Sequence, residues 1–107
     1  MIIEFENMEW KENPNFKGGE GVFYNKMIND NGTKIMKGRL TPGSSIGYHR
    51  HDGEAEMVYI LSGGGIELTD DGEVPVKPGE CHYCQDGRSH SLINNGSEDM
   101  VFFSVIK

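Results

Sequence analysis

The sequence has no long hydrophobic run and no long segment in which hydrophobic residues recur with helical spacing. A helix that crosses a bilayer needs roughly 20 apolar residues in succession, so we expect no membrane partner. The start of the chain is acidic and has no apolar stretch of the kind that signal peptides carry. These absences predict a cytoplasmic protein.

Basic residues are also few. The chain has 10 Lys and Arg against 17 Asp and Glu, which gives a formal net charge of −7. Binding to nucleic acid or to an anionic membrane surface depends on basic patches. We therefore expect no nucleic-acid partner.

Cysteine occurs only twice, in the segment Cys81-His-Tyr-Cys84. Residues three apart on one strand lie roughly 10 Å apart, which is beyond the roughly 7 Å over which Cα atoms can be bridged by a disulfide. A zinc site of the Cys-x-x-Cys type needs a second pair of ligands, and no second cysteine pair exists. We expect both cysteines to be reduced structural residues, as in a reducing compartment.

Turn-forming residues, in contrast, are abundant. Fifteen glycines and four prolines separate short apolar runs, which is typical of an all-β chain with many turns, and Asn31-Gly32 is a strong hairpin signal. Regularly spaced strands of this kind predict a β-sandwich or a β-barrel. The predicted strands lie at residues 2–5, 21–28, 33–40, 45–51, 55–61, 66–69, 73–77, 80–84, 89–93 and 100–106.

Four polar residues in this pattern form a candidate metal site: His49, His51, Glu56 and His90. The two histidines of His-Arg-His are two apart, so on a strand their side chains leave the same face. Glu56 begins the next apolar run, and His90 lies near the start of a later strand. Three imidazoles and one carboxylate suit iron, manganese, nickel, copper or zinc.

The spacing around these residues resembles the two signature motifs of the cupin superfamily. In the first motif, Gly43 is followed after five residues by His49-Arg-His51, after four more by Glu56, and after six more by Gly63. In the second motif, Gly79 leads after five residues to Gln85-Asp-Gly87, then to His90 and Asn94. Gln85 replaces the usual proline, whose ring would stiffen the turn before His90.

This resemblance implies a single-domain all-β jelly-roll barrel over residues 20–107, preceded by an arm over residues 1–19 that pairs with another subunit in a homodimer. It implies one divalent transition metal held by His49, His51, Glu56 and His90. Related cupins act as dioxygenases, isomerases and lyases or decarboxylases on small polar metabolites such as sugar acids and keto acids. The alternative is a cupin that binds or senses a sugar-like small molecule without catalysis.

Two further residues are candidates for catalytic proton transfer. Glu54 is two residues from Glu56 and is the rival carboxylate, and His82 is the one histidine outside the metal motif. Histidine titrates near neutral pH and suits a proton shuttle, although a structural role for His82 is the competing interpretation. The roles of five other residues stay open, namely those of Tyr24, Tyr48, Tyr59, Tyr83 and Arg39.

Overall fold

The computed structural model describes the whole chain, Met1–Lys107, as two antiparallel β-sheets. Two short 3₁₀ turns occur at Phe5–Asn7 and Phe16–Gly18. The ten strands are β1 (Lys11–Pro14), β2 (Val22–Asp30), β3 (Thr33–Leu40), β4 (Ser45–Arg50), β5 (Glu56–Ser62), β6 (Gly65–Thr69), β7 (Gly72–Val76), β8 (Cys81–Cys84), β9 (Ser89–Ile93) and β10 (Met100–Ile106).

The strand order is β1-β2-β3-β10-β5-β8 in the larger sheet and β4-β9-β6-β7 in the smaller one. The two sheets form the predicted all-β jelly-roll. Nine predicted strands are confirmed as β2 to β10, with bounds that differ by at most two residues. The strand predicted at residues 2–5 is wrong, because a 3₁₀ turn begins at Phe5 and no sheet partner is present for that segment.

The first 19 residues pack against the barrel of their own chain. β1, which the sequence did not predict, pairs with β2 so that Lys11 lies opposite Asn25. The side-chain amide of Asn13 reinforces this edge by donating to the backbone oxygen of Phe23 at 3.0 Å. The pairing of this segment with a second subunit stays a prediction.

The core lies between the two sheets and is built from alternate residues of each strand, as the two-residue period of a strand requires. At its centre, Phe102 of β10 packs across Gly38 of β3, where an added Cβ would lie 2.4 Å from the phenyl ring. Only glycine therefore fits there. The buried core consists of Phe23, Met36, Leu40, Ile46, Val58, Ile60, Val76, Leu92, Met100 and Phe102.

The strands that build this core also carry buried polar residues toward one end of the barrel. Glu56, Glu67, His90 and Ser104 are each at most 8% exposed. This polar end holds the candidate site. None of the helical segments has the length or the apolar composition that a transmembrane helix requires.

Candidate metal centre and cavity

The candidate ligands converge from both sheets. His49 on β4 lies opposite His90 on β9 in the smaller sheet, and His51 follows directly after β4. The chain then crosses to the larger sheet, where β5 begins with Glu56. One donor atom from each of these four residues lies within 4.8 Å of every other, so the structure brings together all four residues that the motifs predicted.

The spacing of the donor atoms fits a metal ion. His90 Nε2 lies 2.8 Å from Glu56 Oε1, His51 Nε2 lies 3.2 Å from the same oxygen, and the two nitrogens are 3.1 Å apart. Two ligands each about 2.1 Å from an ion and at right angles to each other are about 3.0 Å apart. The donors are therefore spaced like neighbouring ligands of one transition metal.

Hydrogen bonds turn each histidine so that its Nε2 faces the cluster. His49 Nδ1 donates to the backbone oxygen of Gly47 at 2.8 Å, His51 Nδ1 contacts Glu54 Oε1 at 3.3 Å, and His90 Nδ1 contacts Glu67 Oε2 at 3.0 Å. A proton held on Nδ1 leaves the Nε2 lone pair free for a metal. Such outer partners fix the orientation of metal-ligating histidines and raise their basicity.

Charges within the cluster are strongly coupled. Burial alone would raise the pKa of Glu56, but hydrogen bonds with His51 and His90 outweigh it and lower this pKa to about 2. Burial would likewise lower the pKa of His90, yet Glu56 and Glu67 raise it to about 9. In the metal-free protein a proton on His90 thus supplies positive charge where a metal ion would supply it.

Glu56 is also held from its other side. The Ser104 hydroxyl donates to Glu56 Oε2, which leaves Oε1 directed at the histidines. Burial lowers the pKa of His49, which keeps that imidazole neutral. Neutral imidazole and ionised carboxylate are the protonation states that a metal requires of these ligands.

The two predicted catalytic residues lie on different sides of the cluster. Glu54 lines the cavity beside His51. His82 lies outside that cavity: its Nδ1 contacts Glu67 Oε1 at 2.9 Å and its Nε2 contacts Glu80 Oε1 at 3.0 Å. Glu67 therefore separates His82 from His90. Catalytic roles for Glu54 and His82 stay predictions.

Hydrogen bonds hold the turn before His90 in the absence of the usual proline. The backbone N–H of Arg88 donates to Gln85 O at 3.0 Å, and the N–H of Gly87 donates to His51 O at 2.6 Å. The side chain of Asp86 accepts from the backbone N–H of Gly53 at 2.8 Å. The last two bonds tie this turn to the segment that follows β4, so it positions both motifs together.

A cavity of about 340 Å³ opens over the cluster. Ligand cavities in proteins commonly start at about this volume. His49, His51 and Glu56 form part of its wall, and four basic residues also line it: Lys11, Lys17, Lys34 and Arg50. The apolar part of the wall consists of Phe16, Phe23, Met27, Met36, Ile46, Phe102 and Ile106.

Neither Arg39 nor any of the four tyrosines lines this cavity. The Arg39 guanidinium lies 4.8 Å from the Trp10 ring centroid and 4.4 Å from the Tyr24 ring centroid. The other three tyrosines are exposed: Tyr48, Tyr59 and Tyr83.

Both cysteines are free thiols, and Cys81 is exposed, whereas burial raises the pKa of Cys84 to about 11.

Sequence reasoning missed three residues of the site and its surroundings: Glu67, Asn25 and Lys11. Glu67 stands in the run Ile66-Glu-Leu-Thr69, whose alternation marks a strand but not which face is buried. The one sequence feature that could have indicated Glu67 is the presence of a carboxylate in the middle of a predicted strand. Asn25 and Lys11 gave none, because their place on the wall depends on the pairing of β1 with β2.

The chain belongs to the cupin family, because a family model for the cupin domain matches residues 36–106. The protein is similar over 99% of its length, at 31% identity, to a Thermotoga maritima protein named oxalate-binding protein, of which the match covers 93%.

Solved structures show the same fold. A crystal structure of a "predicted oxalate decarboxylase" from Thermotoga maritima has a TM-score of 0.93 and 32% identity, with 99% of this chain and 97% of that chain covered. A cupin sugar phosphate isomerase from Silicibacter pomeroyi has a TM-score of 0.79 at 21% identity, covering 100% of this chain and 75% of that one. At that identity the likeness concerns the fold alone.

Proposed function

We propose that this chain is a metal-dependent enzyme of the lyase type that binds a small carboxylic acid on a divalent transition metal. One observation carries the proposal: the cluster of His49, His51, Glu56 and His90 faces a cavity of about 340 Å³. Four protein ligands leave one or two coordination positions of a five- or six-coordinate ion for a ligand.

The substrate class follows from the charges around the cavity. In a chain with a net charge of −7, the cavity-lining lysines Lys11, Lys17 and Lys34 have no ion-pair partner, whereas Arg50, which also lines the cavity, pairs with Asp52. They favour an anionic ligand. A keto acid, a sugar acid or oxalate offers vicinal oxygens that chelate a metal, and two similar proteins are named for oxalate.

In a decarboxylation, different residues of the chain would have different roles. When bound, the metal acts as a Lewis acid that draws electron density from the chelating oxygens. The ammonium groups of Lys11, Lys17 and Lys34 attract the acid, and the apolar side chains of the wall line part of the space around it. Glu54, on the wall beside His51, is the carboxyl group placed to supply the proton that replaces departing CO₂.

The first test is metal content, measured by elemental analysis of untagged protein beside the double variant His49→Ala/His90→Ala. We expect near-stoichiometric metal in the wild type and none in the variant. Calorimetric titration of the metal-loaded protein with oxalate then measures binding, and released CO₂ measures turnover. A wild-type protein that takes up no metal after reconstitution with Mn²⁺, Fe²⁺, Ni²⁺, Cu²⁺ or Zn²⁺ overturns the proposal.

A second candidate function is binding without catalysis, which the name of the oxalate-binding relative favours. Both candidates predict metal-dependent oxalate binding. They differ in the turnover assay, because a binding protein gains thermal stability from oxalate but releases no CO₂. Iron or copper in the purified protein would add oxygen-consumption assays, since these ions also suit dioxygenases.

We also propose that the chain forms a homodimer through the outer face of the larger sheet. Met57, Tyr59 and Leu61 of β5 and Phe103 of β10 are each at least 37% exposed, and Tyr59 lies opposite Phe103. Adjacent exposed apolar side chains of this kind mark association surfaces, and this strip carries no charge that would repel a second acidic copy. Light scattering of the wild-type protein should give twice the mass of the chain. The variant Tyr59→Glu should be a monomer that still binds metal. A wild-type protein with the mass of one chain contradicts the proposed dimer.

A further inference from the structure

The two buried asparagines of the chain use their amide groups differently. Asn94 pairs all of its polar atoms: Nδ2 donates to two backbone oxygens at 2.8 Å each, and Oδ1 accepts from Gly96 N at 3.0 Å. Asn25 is 7% exposed, and its Oδ1 accepts from Asn13 Nδ2 at 3.1 Å. Its own Nδ2 makes no hydrogen bond with the protein, and Asn25 is one of the residues that line the cavity.

The orientation of the Asn25 amide is fixed by its neighbour. Asn13 Nδ2 also approaches the backbone oxygens of Phe23 and Lys11 at 3.0 and 3.3 Å, so this atom is a donor. The atom of Asn25 that faces it must therefore be the oxygen. The two N–H bonds of Asn25 are left without a protein acceptor. Arg39 Nε is the only fully buried side-chain polar atom without a partner, so Asn25 Nδ2 is accessible, and because Asn25 lines the cavity it can donate to a ligand there.

Asn25 lies across the cavity from the metal ligands. β2 is separated from β5, which carries Glu56, by β3 and β10. Asn25 is in register with Gly38, Phe102 and Ile60, and Ile60 is four residues along β5 from Glu56. The separation is therefore about 14 Å across the strands, at about 4.8 Å per strand, and about 13 Å along them, at about 3.3 Å per residue. The intervening strands contribute Met36 and Phe102 to the lining. The path from the metal cluster to the amide is therefore apolar in its middle.

A positive charge accompanies the amide. Lys11 lies directly opposite Asn25 in the β1–β2 pairing, lines the same cavity, and takes part in no ion pair. An unpaired ammonium beside an unpaired amide donor matches the two oxygens of a carboxylate. Oxalate cannot use this subsite while it chelates the metal, because its carboxyl carbons are bonded directly to each other.

We infer that Asn25 and Lys11 form a subsite for the distal carboxylate of a longer acid whose other end chelates the metal. The ligand class is a 2-oxo or 2-hydroxy dicarboxylic acid with an aliphatic middle that packs on Met36 and Phe102. This inference rests on the proposed function, because it assigns the second half of the ligand whose first half occupies the metal site.

The test compares acids of equal length with and without the distal carboxylate. Ni²⁺-loaded protein is titrated in a calorimeter with 2-oxoadipate and 2-oxohexanoate, and with 2-oxoglutarate and 2-oxopentanoate. We expect the dicarboxylate to bind tighter by roughly tenfold to a hundredfold in at least one pair, the range for a hydrogen-bonded charge. Equal affinities within both pairs overturn the subsite, whereas failure to bind oxalate or any of these acids overturns the proposed function itself.

Variants then test which residues cause the tighter binding of the dicarboxylate. The variants Asn25→Leu, similar in size to the wild-type residue, and Lys11→Gln, on an exposed side chain, should each remove most of the preference for the dicarboxylate while the Ni²⁺ affinity stays at the wild-type value. Lys77→Gln, which removes a lysine outside the cavity, should retain the full preference. A preference that survives in Lys11→Gln and in an Asn25→Leu protein that still loads Ni²⁺ contradicts the assignment.

Discussion

The inside of the barrel has an apolar end and a polar end, and the same strands build both. β5 places Glu56 at the polar end, followed inward by Val58 and Ile60. β10 runs the opposite way, from Phe102 in the apolar core to Ser104 beside Glu56. The backbone pairing of the strands is continuous through both ends, so the difference lies in the side chains.

The two ends meet the cost of burial in different ways. Burial of apolar side chains stabilises the folded state by about 25 cal/mol for each Å² of apolar surface removed from water. Buried polar groups cost free energy unless they are paired, and at the polar end His90 has Glu56 on one side and Glu67 on the other. We infer that the apolar end supplies stability and that the polar end is maintained for binding.

The largest effect is expected from truncation at the apolar end. Phe102→Ala should lower the free energy of unfolding by about 3–5 kcal/mol, as for other buried phenylalanines, because Phe102 is 1% exposed at the centre of the core. Urea denaturation measures this loss. The folded fraction should keep its metal stoichiometry, since Phe102 is not one of the four proposed metal ligands.

The control for this variant is the next residue of the same strand. Phe103→Ala removes a ring of the same size from the outer face, where Phe103 is 37% exposed and packs on Phe5. In the Tyr59→Glu background, in which the proposed dimer does not cover Phe103, we expect a loss of about 1 kcal/mol, within the usual range for a partly exposed side chain. Similar losses in the two variants would contradict the inside–outside assignment of β10.

The polar end should show itself in the pH dependence of the metal-free protein. The pKa of His90 is raised from 6.5 to about 9, so its contribution to stability is fully present below pH 6.5 and is lost as the pH rises to about 9. At about 1.4 kcal/mol per pKa unit, the loss is on the order of 1–3 kcal/mol. Calorimetry in the presence of a chelator should show Tm falling over this interval.

A bound metal should reverse this dependence. The metal requires His90 without its proton, so metal affinity rises with pH over the same interval. The Tm of Ni²⁺-loaded protein should therefore rise or stay constant where that of the metal-free protein falls. The variant His90→Gln should lose both behaviours, and identical pH profiles with and without Ni²⁺ would contradict the site.

A smaller effect is expected from the buried partner of His90. Glu67 accepts hydrogen bonds from His90 and His82, and the amide of Glu67→Gln has only one oxygen to offer the two donors. Loss of an outer partner typically weakens metal binding about 10- to 100-fold. A Co²⁺ titration followed by visible absorption measures both the affinity and the ligand geometry.

His82→Gln provides the matched control for Glu67→Gln, because it leaves the contact between Glu67 and His90 in place. We expect its Co²⁺ affinity to stay close to that of the wild type. If His82→Gln weakens Co²⁺ binding as much as Glu67→Gln does, then the positioning of His90 by Glu67 alone does not explain the effect.

Much of the fold could be predicted from the sequence because its strands are bounded by turn residues. The Asn31-Gly32 signal correctly predicted the β2–β3 hairpin. β1 could not be predicted, since Lys11–Pro14 contains no apolar residue except Pro14 and is recruited to the sheet by pairing with β2. Tertiary context decided that strand, as is common for edge strands.

The candidate metal ligands could also be predicted from local sequence, because His49, His51, Glu56 and His90 have the spacing of the two motifs. The structure brings these four residues together. The hydrogen-bond partners of these ligands could not be predicted. Glu67 reaches His90 only through the pairing of β6 with β9, which is not local in sequence. A carboxylate's partner across a sheet depends on register, and register is invisible in a single strand.

The smallest effect is expected at Glu54, the exposed counterpart of Glu67. Its contact with His51 Nδ1 is longer, at 3.3 Å, and its side chain is 34% exposed. Partly exposed pairs contribute less than about 1 kcal/mol, so Glu54→Gln should weaken Co²⁺ binding at most about fivefold. If Glu54 also transfers a proton during turnover, Glu54→Gln at saturating metal should lose most of the CO₂ release while still binding oxalate. Unchanged turnover would leave Glu54 a positioning residue and remove it from the proposed chemistry.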